Sequence, residues 1–226
     1  MTLSRLALAI FLLGCLARHN VLAQTVALPP DTSPLIADSA RREVRIRAIY
    51  QPERFSGFLR ATPNYHLLVW QGGGAAGAAL FRTVVPDTVL IAALERLGAV
   101  AGNNLTMEAW SKRHEANHPA PQTRMAGTRV DILVGWEGLP EPLPLAALLD
   151  DPGKQGLDFR FGGNRSLIHH WHSGCLVCLY SCPGAKIGNA AYTVRDYAVH
   201  KTKFTPKKER LPKSGSPVVL HFRIIS

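Results

Sequence analysis

The chain has 226 residues, of which 46% are hydrophobic and 19% are charged. This length and composition favour one domain of ordinary size with a packed core, and they exclude a chain that is disordered throughout. The formal net charge is +10, and much of the excess lies near the C-terminus, where Phe204 is the interleaved aromatic residue. Such a basic segment is typical of a solvated tail, so we expect no nucleic-acid partner.

The first residues are predicted to form a secretory signal peptide. A short segment with one positive charge precedes the apolar run Leu6–Leu13, and Val21-Leu22-Ala23 suits a cleavage site, so we assign residues 1–23 to the signal. The apolar run is too short to span a bilayer. Leu12-Leu13-Gly14-Cys15 resembles a lipobox, and contact with a membrane is expected only if Cys15 is lipidated. The protein is therefore predicted to be periplasmic or otherwise exported, with a lipoprotein as the alternative.

The rest of the chain reads as a linker followed by one domain over residues 44–226. Residues 24–43 are rich in proline and small polar residues and predict an extended linker. An apolar stripe after Pro86, ended by Gly98, predicts the clearest helix. A second short helix is predicted at 144–149. Alternating or continuous apolar runs predict strands at 44–49, 66–70, 129–136, 158–161 and 218–225.

Because strands outnumber helices in this pattern, the sequence predicts an α+β fold. We expect a single mixed β-sheet with one or two packed helices and a cysteine-containing loop segment. Gly72-Gly73-Gly74 follows the second strand, but it lacks the Lys-Ser/Thr pair of a phosphate-binding P-loop and is typical of a plain turn.

Three of the four cysteines, Cys175, Cys178 and Cys182, fall within eight residues, with the spacing C-x2-C-x3-C-P. Thiolates at such spacings can bind one metal ion or cluster. The spacing matches the later part of the bacterial ferredoxin run C-x2-C-x2-C-x3-C-P, and His172 occupies the position of the first cysteine of that run. We therefore predict the three cysteines as cofactor-binding and metal-binding residues within a cluster at 169–184, with His172 as a candidate metal ligand.

The predicted cofactor is an iron–sulfur cluster, possibly of the 4Fe–4S type, with zinc or copper as alternatives. An exported chain would have to acquire an iron–sulfur cluster where thiols are oxidised, which favours the alternatives. The predicted role is electron transfer or accessory redox work with a redox partner protein that the sequence does not identify. We predict no catalytic residue, because no hydrolase or metalloprotease motif is present.

Two other functions are compatible with the cysteines. In an oxidising compartment two of them could form a disulfide that staples a non-catalytic binding or structural domain. Alternatively, Cys175 and Cys178 form a C-x-x-C pair, which is the motif of thiol–disulfide oxidoreductases.

The residues around the cysteines form a distinctive pattern, namely Ser173-Gly174-Cys175, Cys178–Gly184, Lys186, Gly188-Asn189-Ala190 and Tyr192–Tyr197. This pattern resembles the YdjY-type family, bacterial proteins that are often labelled ferredoxin-like or 4Fe–4S-type. Upstream segments such as Asp158–Asn164 are also similar, so the resemblance covers roughly residues 60–200. It implies that Cys175, Cys178 and Cys182 bind the cluster, and it implies neither a fourth ligand nor a reaction.

Overall fold

The computed structural model describes residues 25–55 and 64–225, so the predicted signal peptide and Cys15 lie outside the described residues. No helix in these two ranges is long and apolar enough to cross a membrane. The strands are β1 Leu35–Asp38, β2 Glu43–Tyr50, β3 His66–Trp70, β4 Phe81–Thr83, β5 Val130–Gly135, β6 Leu143–Pro144, β7 Leu149–Asp150, β8 Phe159–Phe161, β9 Cys175–Cys178, β10 Ile187–Asn189, β11 Thr205–Pro206 and β12 Pro217–Ile224. The α-helices are α1 Asp87–Arg96, α2 Met107–Ser111, α3 Ile168–Trp171 and α4 Val194–Ala198.

One large mixed sheet dominates the molecule. Its strands follow the order β6-β5-β12-β2-β4-β3-β9-β10-β8, and β1 pairs with β2 beside this path. The pairs β3–β4 and β9–β10 are parallel, and the other pairs are antiparallel. β7 and β11 form a separate antiparallel pair.

The large sheet curls so that β8, at one end, approaches the residues that precede β5, near the other end. Arg129, just before β5, forms an isolated bridge with Arg160 of β8. In addition, the backbone N–H of Phe161 donates to the carbonyl oxygen of Thr128 at 2.8 Å. The result is a half-barrel whose strands supply much of the apolar core.

The predicted fold, a single mixed sheet with one or two packed helices and a cysteine loop, is therefore wrong. Strands on opposite sides of a curled sheet pack against one another, so a few short helices are enough to complete the core. Among the described helices, α1 has ten residues and α2, α3 and α4 have five, four and five. Residues Cys175–Cys178 form the strand β9 rather than a loop, and all four are buried.

Several predicted elements are observed at their expected places. The strand predicted at 66–70 is β3, and those predicted at 44–49 and 218–225 are β2 and β12, each within one residue at both ends. In contrast, residues 144–149 form parts of β6 and β7 around a single 3-10 turn. Within the predicted linker, Leu35–Asp38 form β1.

Candidate functional site

β9 carries the first two cysteines into the interior of the sheet, between β3 and β10. The residue before it, Gly174, has a φ of +64°, which favours glycine. A Cβ added to Gly73 would lie 2.3 Å from the carbonyl oxygen of Ser173 and 2.5 Å from the Cα of Gly174. Two glycines therefore allow the loop between β3 and β4 to pack, backbone against backbone, on the start of the cysteine strand.

The three thiols are brought together by an irregularity in this strand. The register runs from His66 opposite Cys178 to Val69 opposite Cys175, with two shifts between them. In a regular strand residues i and i+3 point to opposite faces, whereas a bulge re-aims a side chain. Here the side chains of Cys175 and Cys178 interact, and Cys178 also interacts with Cys182 from the turn that follows β9.

Two of the three cysteines face a cavity of about 260 Å³. Cys175 and Cys182 lie in its wall with exposed fractions of 1% and 5%, whereas Cys178 is fully buried and does not line it. All three are free thiols. The remaining wall consists of His66, aromatic rings and small residues, namely Tyr65, Trp171, Ser173, Ala75, Gly74 and Gly184.

His66 is the imidazole next to the thiols. It is the first residue of β3, its side chain is buried, and its Nδ1 lies 3.5 Å from the Sγ of Cys175. A hydrogen bond from Cys178 lowers the pKa of Cys175 against the opposing effect of burial, and His66 and the charge of Lys186 lower it further. Burial, followed by the neighbouring thiols, raises the pKa of Cys178. The surroundings therefore favour the thiolate form of Cys175 over that of Cys178.

Lys186 brings a positive charge to the same region and is only 1% exposed. Its Nζ donates to the carbonyl oxygen of Gly184 at 3.1 Å and lies 3.8 Å from a carboxylate oxygen of Asp87, at the start of α1. Burial lowers the pKa of Lys186, while Asp87 and the thiols Cys175 and Cys182 oppose that shift. The lysine thus lies close enough to two of the cysteines to stabilise negative charge on them.

Aromatic residues of three short helices cover the cavity. The ring centroid of Trp110 in α2 lies 4.8 Å from that of Trp171 in α3 and 5.3 Å from that of Tyr197 in α4. Tyr197 in turn contacts Tyr65 in the cavity wall, with centroids 4.8 Å apart. Of these four residues, Tyr65 and Trp171 form part of the cavity wall beside Cys175 and Cys182.

The structure brings together Cys175, Cys178 and Cys182, as their spacing predicts, but it places His172 elsewhere. The side chain of His172 is exposed, and its backbone has a φ of +43° at the end of α3. Over residues 25–55 and 64–225, no three side chains of His, Cys, Asp or Glu are arranged to hold a metal ion. Metal binding by the four predicted residues stays a prediction.

Sequence reasoning missed His66 as a site residue and noted Lys186 only as part of the family pattern. The sequence around each residue contains a clue, because each is a polar residue next to buried apolar residues. His66 precedes Leu67-Leu68-Val69, and Lys186 lies between Ala185 and Ile187. A buried polar or charged side chain requires a partner, which makes such a residue a candidate for a site. The signal does not name the partner, which in both cases comes from a different part of the chain.

The fold and the site together define a class, a curled β-sheet protein with a buried cluster of free thiols beside a cavity. A sequence profile of the YdjY domain matches residues 35–223, so the chain belongs to the YdjY domain family, as its motifs predict. It is 31% identical over 162 residues to a protein of Escherichia coli (strain K12) described as "Uncharacterized protein YdjY", and the alignment covers 70% of this chain and 67% of that protein. No solved structure matches the chain. The ferredoxin-like and 4Fe–4S labels appear in neither description and stay predictions.

Proposed function

We propose that the thiol cluster holds a metal centre, with an iron–sulfur cluster as the leading candidate, and that the protein transfers electrons to a partner protein. One observation carries the proposal. Cys175 and Cys182 face the same cavity, Cys178 interacts with both, and none of the three is used in a disulfide.

The donor set supports a cluster better than a single ion. A single zinc ion needs four ligands within about 2.0–2.3 Å of one point, and no three candidate ligands among the described residues are so arranged. A cluster distributes its thiolate ligands over several irons, so thiols that are not gathered around a single point can all take part. Cys175, Cys178 and Cys182 would hold the cluster, which supplies one-electron transfer when bound.

The surroundings of the thiols suit such a centre. The charge of Lys186 offsets negative charge on the thiolates, and the rings of Tyr65 and Trp171 limit the access of water. A protein sets the reduction potential of a cluster through hydrogen bonding, net charge and solvent exposure. The side chains of this cavity can act on each of them.

Anoxic purification of the full chain, followed by iron, sulfide, zinc and copper analysis and a visible spectrum, tests the proposal. We expect iron with acid-labile sulfide, and we expect Cys178→Ala to lose both. Ser173→Ala is the matched control, because it removes a polar atom from the same cavity wall and no thiol. Protein that carries none of these metals in stoichiometric amount would contradict the proposal, and zinc or copper without sulfide would contradict the cluster.

A thiol–disulfide oxidoreductase is the second candidate, and the interaction between Cys175 and Cys178 favours it. The backbone of β9 opposes it. Strand residues three positions apart are separated by about 10 Å, whereas the Cα atoms of a disulfide lie roughly 4.4–6.8 Å apart. The irregularity of β9 already brings the two thiols together, but a bond between the sulfurs would require their Cα atoms to move closer. Thiol counting in denaturant, before and after mild oxidation, separates the candidates, because the oxidoreductase loses two thiols, whereas the metal-free chain of the first candidate keeps Cys175, Cys178 and Cys182 free.

A further inference from the structure

We infer that His66 is a ligand of the metal centre and that its Nδ1 and the Sγ of Cys175 bind the same metal ion, as two protein ligands do on each iron of a 2Fe–2S cluster. The inference rests on the proposed function and extends it, because it adds a ligand from outside the cysteine segment 169–184. It also replaces His172, the ligand that the spacing suggests, with a histidine from a different strand.

The distance between the two atoms carries the inference. A histidine nitrogen binds zinc at about 2.0–2.1 Å and a thiolate sulfur at about 2.3 Å. When both belong to one tetrahedral centre, the nitrogen and the sulfur are therefore about 3.6 Å apart. Nδ1 of His66 and Sγ of Cys175 are 3.5 Å apart. The pair already has the separation of two ligands on one metal, and a hydrogen bond can hold that separation until the metal arrives.

The backbone fixes this separation. β3 and β9 are antiparallel neighbours in the sheet, with His66 opposite Cys178 and Val69 opposite Cys175, so the imidazole reaches Cys175 diagonally across the ladder. The carbonyl oxygen of His66 accepts from the N–H of Leu80 at 3.0 Å, and the carbonyl oxygen of Tyr65 accepts from the N–H of Leu179 at 2.8 Å. The Tyr65 ring packs on the imidazole with centroids 4.0 Å apart. Ligands on paired strands are positioned more precisely than ligands on loops.

Burial points to the same residue. His66 is 5% exposed and lines the cavity together with Cys175 and Cys182. His172 is exposed and does not line it. The contribution of His172 is through its backbone, because its carbonyl oxygen accepts from the N–H of Gly74 at 2.9 Å. Of the two histidines, His66 is the one whose ring reaches the thiols.

A histidine ligand has a measurable electronic consequence. A neutral imidazole in place of a thiolate makes the centre less negative, and iron–sulfur centres with histidine ligands have higher potentials than those with cysteine alone. Replacement of His66 by cysteine should therefore keep the centre and lower its reduction potential.

The experiment compares the wild-type chain with His66→Ala, His66→Cys and the matched control His172→Ala. Each is reconstituted anoxically with Fe²⁺ and sulfide, and separately with Co²⁺ as a probe of single-ion binding. Iron, sulfide and cobalt per chain, the visible spectrum, the EPR signal of the reduced form and the midpoint potential are measured. We expect His66→Ala to lose at least half of the bound metal, His66→Cys to retain it with a changed EPR signal and a lower potential, and His172→Ala to match the wild type.

The outcomes separate the inference from the proposed function. If the wild-type chain binds neither iron with sulfide nor cobalt, the proposed function fails and the inference fails with it. If the wild type binds metal and both His66 variants keep its metal content, spectrum and potential, only the inference is overturned. Loss of metal from His172→Ala instead of His66→Ala would overturn it as well. His66→Cys keeps the test decisive if His66→Ala does not fold.

Discussion

The side chain of Lys186 places a positive charge in the interior, near two of the cysteines and 3.8 Å from Asp87. We predict that Lys186→Met lowers both the metal content and the reduction potential of the reconstituted protein. The methionine keeps most of the volume, but negative charge on the thiolates is no longer offset. The measurement is metal analysis with a redox titration of the loaded protein.

Two further variants isolate the effect of that charge. Lys201→Met is the matched control, because it removes a lysine that pairs with Asp196 at 3.2 Å but is 47% exposed; its loading and potential should be those of the wild type. The double variant Lys186→Met/Asp87→Asn leaves no unpaired carboxylate, so a defect that persists in it comes from the missing positive charge. Wild-type potential and loading in Lys186→Met would refute the electrostatic role.

At the scale of elements, the packing of the β3–β4 loop on β9 depends on Gly73. We predict that Gly73→Ala lowers the free energy of unfolding by about 1–3 kcal/mol, because its Cβ would lie 2.3 Å from a backbone oxygen that cannot move without the cysteine strand. Gly77→Ala, in the same loop, meets no atom within 4 Å, and its effect should stay within about 0.5 kcal/mol. Urea denaturation of both variants checks this, and equal midpoints would contradict the contact.

Local sequence predicts an element well where the element depends on its own residues. The run His66–Trp70 is apolar enough to be a central strand, and β3 has the predicted bounds. Residues 144–149 resemble a helix because they contain leucine and alanine. Their ends are instead drawn into sheets, Pro144 opposite Leu133 of β5 and Leu149 opposite Pro206 of β11. Helix propensity is a weak prior that tertiary pairing overrides.

At the scale of the whole molecule, β12 lies between β2 and β5, and a cluster of charged and polar side chains around the buried Glu43 links it to β2. Glu43 accepts one hydrogen bond from the Nε of Arg223 at 2.6 Å and interacts with the Nδ1 of His221 at 3.0 Å. Burial alone would raise the pKa of Glu43, but the hydrogen bonds and positive charges of His221 and Arg223 outweigh burial and lower the pKa from 4.5 to about 2.

Because the pKa of Glu43 is lower in the folded state, its contribution to stability is present above pH 4.5 and is lost as the pH falls toward 2. The shift corresponds to at most about 3 kcal/mol. We predict that Glu43→Gln is less stable than the wild type at pH 7 and that this gap narrows between pH 4.5 and pH 2. Denaturant titrations across this range measure it, with the exposed Glu141→Gln as a control. A gap that does not change with pH would contradict the assignment.

The long-range organisation is what the sequence could not predict. The curl of the sheet depends on pairs such as Leu220 opposite Ile46 and Arg129 opposite Arg160, and hydrophobic periodicity carries no information about partners. The site follows the same rule. Cys175, Cys178 and Cys182 were found because their spacing is local, whereas His66 lies 109 positions before Cys175 and was missed as their neighbour.

The separation of 109 positions between His66 and Cys175 also determines the order in which the proposed ligands come together. A newly made polypeptide holds its three thiols close together from the start, but His66 joins them only when β3 and β9 pair. A centre shared by His66 and Cys175 would therefore be completed after folding, with its components entering through the cavity. Maturation would then be the last step in the biogenesis of the protein, and an immature chain would already have its final shape.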